Sequence, residues 1–209
     1  MIKKIFVFGL IFLSIVCYAQ TKAVTETGDE VILYKNNTWR YVADSLNVNV
    51  EISKNNEIFT KNEESSFLVK SSKTNIGTWI NPKKWNFTKS QSDSPAEFSF
   101  NNKELEIYGM LISEKTEIPI ENLIDIAIEN ARDVSSDVQV LEKEYRNVNG
   151  LEVIMMKIKG TIQGVKFIYF GYYFSNSEGT YQLLTYTSQN LFSQNENEML
   201  KLLNGFTEY

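Results

Sequence analysis

Between Val138 and Thr187, four runs rich in β-branched and aromatic residues alternate with three tight turns, which limits what this chain can fold into more than any other stretch. The runs are Val138–Val148, Leu151–Thr161, Val165–Ser175 and Thr180–Thr187, with reversals at Asn149-Gly150, Gln163-Gly164 and Ser177-Glu178-Gly179. Asn-Gly between apolar runs signals a type I′ turn, because both central residues of that turn need positive φ. The stretch therefore reads as an antiparallel four-strand meander. In its third strand, Phe167 to Phe170 and Tyr172 to Phe174 are apolar on both alternations, so that strand is expected to be central and covered on both faces. Val153, Ile154, Met155 and Met156 suggest the same for its neighbour.

Two helices supply candidate cover. Ile120, Leu123, Ile124, Ala127, Ile128, Ala131 and Val134 recur at spacings of three and four, with Pro119 expected at the first helical position and Glu121 complementing the dipole. A second helix is signalled by Ser193 with Glu196 as a capping box, by Met199, Leu200, Leu202, Leu203 and Phe206, and by Gly205 at its end. Upstream, Phe67–Val69, Thr78–Ile80, Lys84–Phe87, Ala96–Phe100 and Leu105–Ser113 read as further strands. Asn81-Pro82-Lys83 reads as the turn of a hairpin that carries Trp79 and Trp85. The expected fold class is α+β: an antiparallel sheet of about six or seven strands, ending in the meander and covered by helices on both faces.

The rest of the chain divides by composition. Lys3 and Lys4 precede an apolar run from Ile5 to Val16, too short to span a bilayer comfortably, so residues 1–19 read as a signal peptide cut between Ala19 and Gln20. A lipid anchor on Cys17 is disfavoured by the bulky Val16 before it. Residues 20–42 read as a small β segment turning at Gly28 and at Asn36-Asn37, and residues 43–66 as a polar linker. In the latter, Leu46, Val48, Val50 and Ile52 have the spacing of one short edge strand, and residues 53–66 show no period. Residues 67–209 form the main domain.

Two resemblances follow from these residues. Thr27-Gly28-Asp29-Glu30-Val31-Ile32-Leu33 with Asn37-Thr38-Trp39-Arg40-Tyr41 resembles a leader-adjacent segment of exported Gram-negative proteins. Ile118-Pro119-Ile120-Glu121-Asn122-Leu123, Gly164-Val165-Lys166-Phe167, Tyr181-Gln182-Leu183 and Met199-Leu200-Lys201-Leu202-Leu203-Asn204-Gly205-Phe206 follow the element order of the PsbP-like fold, shared with the Mog family of Ran-binding proteins. Glu144-Tyr145-Arg146, Val148-Asn149-Gly150, Gly171-Tyr172-Tyr173 and Thr185-Tyr186-Thr187 resemble a group of uncharacterised secreted bacterial proteins. The resemblance implies an α/β/α sandwich over residues 67–209 and a binding or assembly role rather than catalysis. Asp44-Ser45-Leu46 is similar to a bacterial O-glycosylation acceptor, although a polar turn is the preferred reading.

Composition narrows the chemistry. The chain has no histidine and a single cysteine, Cys17, which leaves with the signal peptide; this excludes His-containing triads, thiol nucleophiles and imidazole–thiolate metal sites. Loss of Lys3 and Lys4 leaves 19 basic against 26 acidic residues, a net charge of −7, which argues against nucleic acid as a partner. No cofactor or metal site is expected, and no membrane span after cleavage. Asp125 and Glu129 read as a solvated helix surface, and Glu142, Glu144 and Arg146 as a same-face ion cluster on an edge strand. Trp79, Lys83, Lys84 and Trp85 form the candidate partner contact, against the plainer reading that both indoles are core.

The sequence thus points to a non-catalytic exported module, periplasmic or extracellular, binding a protein or a component of the cell envelope. The alternatives are a hydrolase using two carboxylates and a carrier of a small apolar ligand held between sheet and helix, and, for location, a chain lipid-anchored or membrane-tethered through its N-terminus.

Overall fold

The computed structural model describes residues 21–25, 30–33, 39–41, 50–91 and 94–209. The expected cleavage at Ala19–Gln20 and the Asp44-Ser45-Leu46 pattern lie outside the described residues. The chain forms two compact units, Met1–Leu46 and Asn47–Tyr209. In the first, β1 (Thr21–Val24), β2 (Glu30–Leu33) and β3 (Trp39–Tyr41) pair antiparallel in that order, and Val31 on the middle strand is buried.

The second unit contains β4 (Ser53–Phe59), β5 (Phe67–Lys70), β6 (Ile76–Ile80), β7 (Trp85–Lys89), β8 (Phe98–Asn102) and β9 (Tyr108–Glu114). After helix α1 (Ile120–Val134) come β10 (Gln139–Val148), β11 (Leu151–Ile162), β12 (Val165–Asn176) and β13 (Gly179–Ser188), and finally helix α2 (Phe192–Leu203) and β14 (Phe206–Glu208). The meander occupies β10–β13. Asn149 and Gly150 take φ of 51° and 89°, and Gln163 and Gly164 take 50° and 81°, as primed turns require. An eight-stranded sheet runs β4-β10-β11-β12-β13-β9-β8-β7, and a three-stranded sheet runs β14-β6-β5.

Several expectations are corrected. The main sheet has eight strands rather than six or seven, and it is mixed, because β4 runs parallel to β10 with Lys54 opposite Tyr145 and Phe59 opposite Val148. That strand lies inside the stretch read as linker. Among the described residues no strand pairs with its outer edge, and most of its side chains are exposed, so it needs no apolar alternation and leaves no periodic signal. As β4 takes the edge, β10 is not the edge strand assumed for Glu142, Glu144 and Arg146. Trp79 and Trp85 do not share a hairpin either: β6 pairs with β5 and β14, while β7 pairs with β8. The backbone N–H groups of Lys84 and Trp85 both donate to the carbonyl of Asn81, making a corner between two sheets. Finally, Leu191 caps α2 in place of Ser193, with no side-chain capping bond, and Glu196 turns to Lys157 Nζ at 2.7 Å. Pro119 caps α1 from one residue before the helix, and its carbonyl accepts the N–H of Leu123.

The two faces of the main sheet are covered differently. Strand alternation puts Met155, Phe170, Tyr172 and Leu183 in one core with Met199, Leu202 and Leu203 of α2. Val69, Ile76, Ile80 and Phe206 of the small sheet join the same core, so this face has a strand layer as well as a helix over it. On the opposite face Ile154, Met156, Ile158 and Tyr173 pack with Leu123, Ile124, Ala127 and Ile128 of α1. Eight strands at about 4.8 Å spacing span roughly 34 Å, and a helix with its side chains is only about 10–12 Å wide. A single helix cannot roof such a face.

Candidate ligand-binding site

The uncovered strip beside α1 holds a cavity of about 500 Å³. Its floor is a four-strand patch: Ile158 and Gly160 of β11, Phe167, Tyr169 and Tyr173 of β12, Gln182 and Leu184 of β13, and Met110 and Ile112 of β9. Registers place these side by side, with Tyr173 opposite Gln182 and Gln182 opposite Ile112. Ala127, Ala131 and Val134 of α1 form the wall. The cause of the void lies in the helix. Toward its N-terminus α1 presents Leu123, Ile124 and Ile128, which fill the space above the sheet, but toward its C-terminus the positions facing the sheet are alanines. A methyl group there leaves unfilled what a leucine would occupy.

Next to the cavity, three tyrosines sit directly opposite one another on β12, β13 and β9. The Tyr169 and Tyr186 rings stack at 5.1 Å, the Tyr186 and Tyr108 rings at 5.4 Å, and Phe167 meets Tyr186 edge-on at 6.3 Å. Tyr108 keeps a large exposed surface. Burial pushes up the pKa of Tyr169, with a smaller push from Tyr186, and likewise that of Tyr186, with a push from Tyr108. At the end of α1, the Ser135 hydroxyl donates to Asp137, and Asp137 accepts from the Thr161 N–H and hydroxyl at 2.7 Å each. These bonds tie the helix exit to β11 and fix the wall against the floor.

The residues singled out from sequence lie elsewhere and do not converge. Trp85 is core, packed in the α2-side cluster, and Lys84 pairs with Glu198 at 3.2 Å. Trp79 is half-buried under the Lys61 ammonium, 5.2 Å from its ring, and Lys83 is exposed. A shallow, polar depression near them is lined by Glu63, Glu64, Asn81, Lys83, Lys84 and Glu104, which offer mixed charges and no indole. Asp125 and Glu129 lie on the exposed side of α1, with Glu129 pairing Arg132 at 2.7 Å. Glu144 and Arg146 form a buried ion pair, and Arg146 also donates to the Tyr172 hydroxyl at 3.2 Å. Glu142 and Glu196 converge on Lys157, at 3.0 and 2.7 Å, and both are ion-paired there. Among the described residues no cluster of three or more acidic side chains could hold a metal ion.

Sequence reasoning read Tyr169, Tyr172 and Tyr173 as core first and as a ligand pocket only second; its carrier alternative, between sheet and helix, named no residues of the cavity. A signal existed in the alanines at positions 127 and 131 of an otherwise large-residue helix face.

No family model and no curated protein sequence matches the chain. Among solved structures it is similar to the cyanobacterial PsbP protein, CyanoP, of Synechocystis sp. PCC 6803. That likeness has a TM-score of 0.51 at 13% identity and covers 68% of this chain and 92% of that one. LpqN of Mycobacterium tuberculosis, described as involved in cell envelope biogenesis, gives a TM-score of 0.47 at 10% identity over 68% of this chain and 88% of its own. The fold is PsbP-like. Among the described residues no helix is long and apolar enough to cross a membrane.

Proposed function

We propose that this chain is a non-catalytic binding module that holds a small apolar ligand between α1 and the main sheet. One observation carries the reading: a cavity of about 500 Å³, walled mainly by aliphatic and aromatic side chains, with Asn130, Ser135, Lys159 and Gln182 as its other polar neighbours. This lies within the roughly 300–1,000 Å³ of pockets for small organic molecules. It favours the carrier over the protein or envelope contact expected at Trp79–Trp85, because Trp85 is buried and Lys84 is ion-paired. The non-catalytic part rests on the absence of histidine from the sequence and on Glu142 and Glu196 both being paired with Lys157. Export belongs to the same reading, from Lys3-Lys4 and the apolar run up to Val16. N-terminal sequencing of protein recovered from expressing cells should read Gln20 first; an intact Met1 would end that part.

The ligand site is tested with the neutral fluorophore N-phenylnaphthylamine. Saturable one-to-one binding is expected, and Ala131→Phe, which fills the cavity, should weaken it at least tenfold while the melting temperature holds or rises. Binding that is absent, or that survives Ala131→Phe unchanged, overturns the reading.

A further inference from the structure

Resting on the groove as a ligand site, the geometry points to an uncharged apolar ligand with one hydrogen-bond acceptor, an ester, ketone or hydroxyl oxygen, seated on the Tyr173 hydroxyl. Three tyrosines of this unit are buried. The hydroxyl of Tyr172 donates to Asn204 Oδ1 at 2.7 Å and that of Tyr181 to Asn176 Oδ1 at 3.4 Å. Tyr173 is 3% exposed and borders the cavity, and its hydroxyl has no hydrogen-bond partner among the described residues. That hydroxyl is not one of the fully enclosed polar atoms left unpaired, so it reaches accessible space in the cavity and is free to donate to what enters there. Burial alone pushes the Tyr173 pKa far up, so the phenol stays protonated and donates.

Charge narrows the class further. Lys159 is the one charged residue among those bordering the cavity. Alternation along β11 puts its side chain on the same face as Lys157, whose ammonium pairs with Glu142 and Glu196 on the far side of the sheet. A carboxylate or phosphate taken into the groove would meet no counter-charge, and burying it unpaired is strongly disfavoured. Gln182, directly opposite Tyr173, adds a second neutral polar group at the same end. Asn130 and Ser135 border it at the helix, the Ser135 hydroxyl being committed to Asp137, and most of the rest is apolar, including Ala131, Ile158, Ile162 and Phe167. Val134, 65% exposed, marks an open rim near Gly160, and exposed Pro95 marks a second on the β9 side, while Tyr173 itself is 3% exposed.

Competition on the full chain tests this. Methyl decanoate and decanoate at pH 8 are compared for displacement of N-phenylnaphthylamine. The ester should displace the probe at concentrations at least tenfold lower than the carboxylate. Tyr173→Phe should weaken the ester about threefold to tenfold relative to the fluorophore, the loss of one hydrogen bond. The variant should melt no lower than the wild type, because the hydroxyl it deletes makes no hydrogen bond to another described residue. Equal or better displacement by decanoate in the wild type overturns the inference whether or not the variant folds. So does an unchanged ester affinity in Tyr173→Phe. Failure of the fluorophore to bind the wild type at all sinks the groove as a site, a different result.

Discussion

Asn149 does two things that one residue type rarely combines. Its φ of 51° opens the β10–β11 turn, which asparagine tolerates better than most side chains. Its amide meanwhile donates to the carbonyls of Asn204 at 2.8 Å and Phe206 at 2.7 Å, and its Oδ1 accepts the N–H of Lys61. The turn is therefore bonded both to the stretch after β4 and to the end of the chain. Glu97 plays a comparable part on the other side of the unit. It is 5% exposed, its carboxylate accepts from the Ser71 hydroxyl at 2.6 Å, and it also accepts from the N–H and hydroxyl of Ser72 at 2.6 and 2.8 Å. Burial pushes its carboxyl up, but these hydrogen bonds together outweigh that push and hold it below its ordinary value. A carboxyl depressed in the folded state contributes stability above the unfolded value of roughly 4.3, and that contribution drains away as pH falls through the folded value. Glu97→Gln should lower the unfolding free energy at pH 7 by about 1–3 kcal/mol, and the gap from wild type should narrow in denaturant titrations below pH 4. A gap that stays constant to pH 3 would assign the loss to packing instead.

At the scale of elements, the short β14 shows how a three-residue strand can matter. Phe206, Thr207 and Glu208 pair with Thr78, Gly77 and Ile76, and Phe206 is fully buried against Phe174 at 5.9 Å between ring centres. Gly205 lets the chain make this turn, since a Cβ there would lie 2.1 Å from the Trp79 carbonyl. Phe206→Ala should cost about 3–5 kcal/mol, as large-to-small changes in a closed core do, measured by urea unfolding. A loss below about 1 kcal/mol would mean that β14 is dispensable to this core. The strands and helices themselves were largely legible. Turn dipeptides placed β10–β13 within about a residue or two of where they lie, and the spacing of three and four placed α1. β4 was not legible, because an exposed edge strand is held by pairing with β10 and carries no period of its own. The Trp79–Trp85 corner failed for a related reason: a turn signal marks a reversal but not which sheet receives the returning strand.

For the whole molecule, unequal cover of one wide sheet is the organising fact. The face carrying α2 and the small sheet is closed, and its core is continuous from Phe98 to Phe206. The face carrying α1 alone is left with the groove and the tyrosine ladder beside it. Periodicity and turn chemistry, both properties of neighbouring residues, determined from the sequence alone the meander, the two amphipathic helices and the demand for cover on two faces. The missing histidine likewise excludes His-dependent catalysis on composition alone. Only the tertiary structure decided that β4 joins the sheet, that Trp85 is core, and that Ala127 and Ala131 stand over a void bordered by a Tyr173 hydroxyl with nothing to bond. The reason is physical: an empty space and an unpaired donor are both failures of distant residues to meet, and no local pattern in a chain records a contact that is not made.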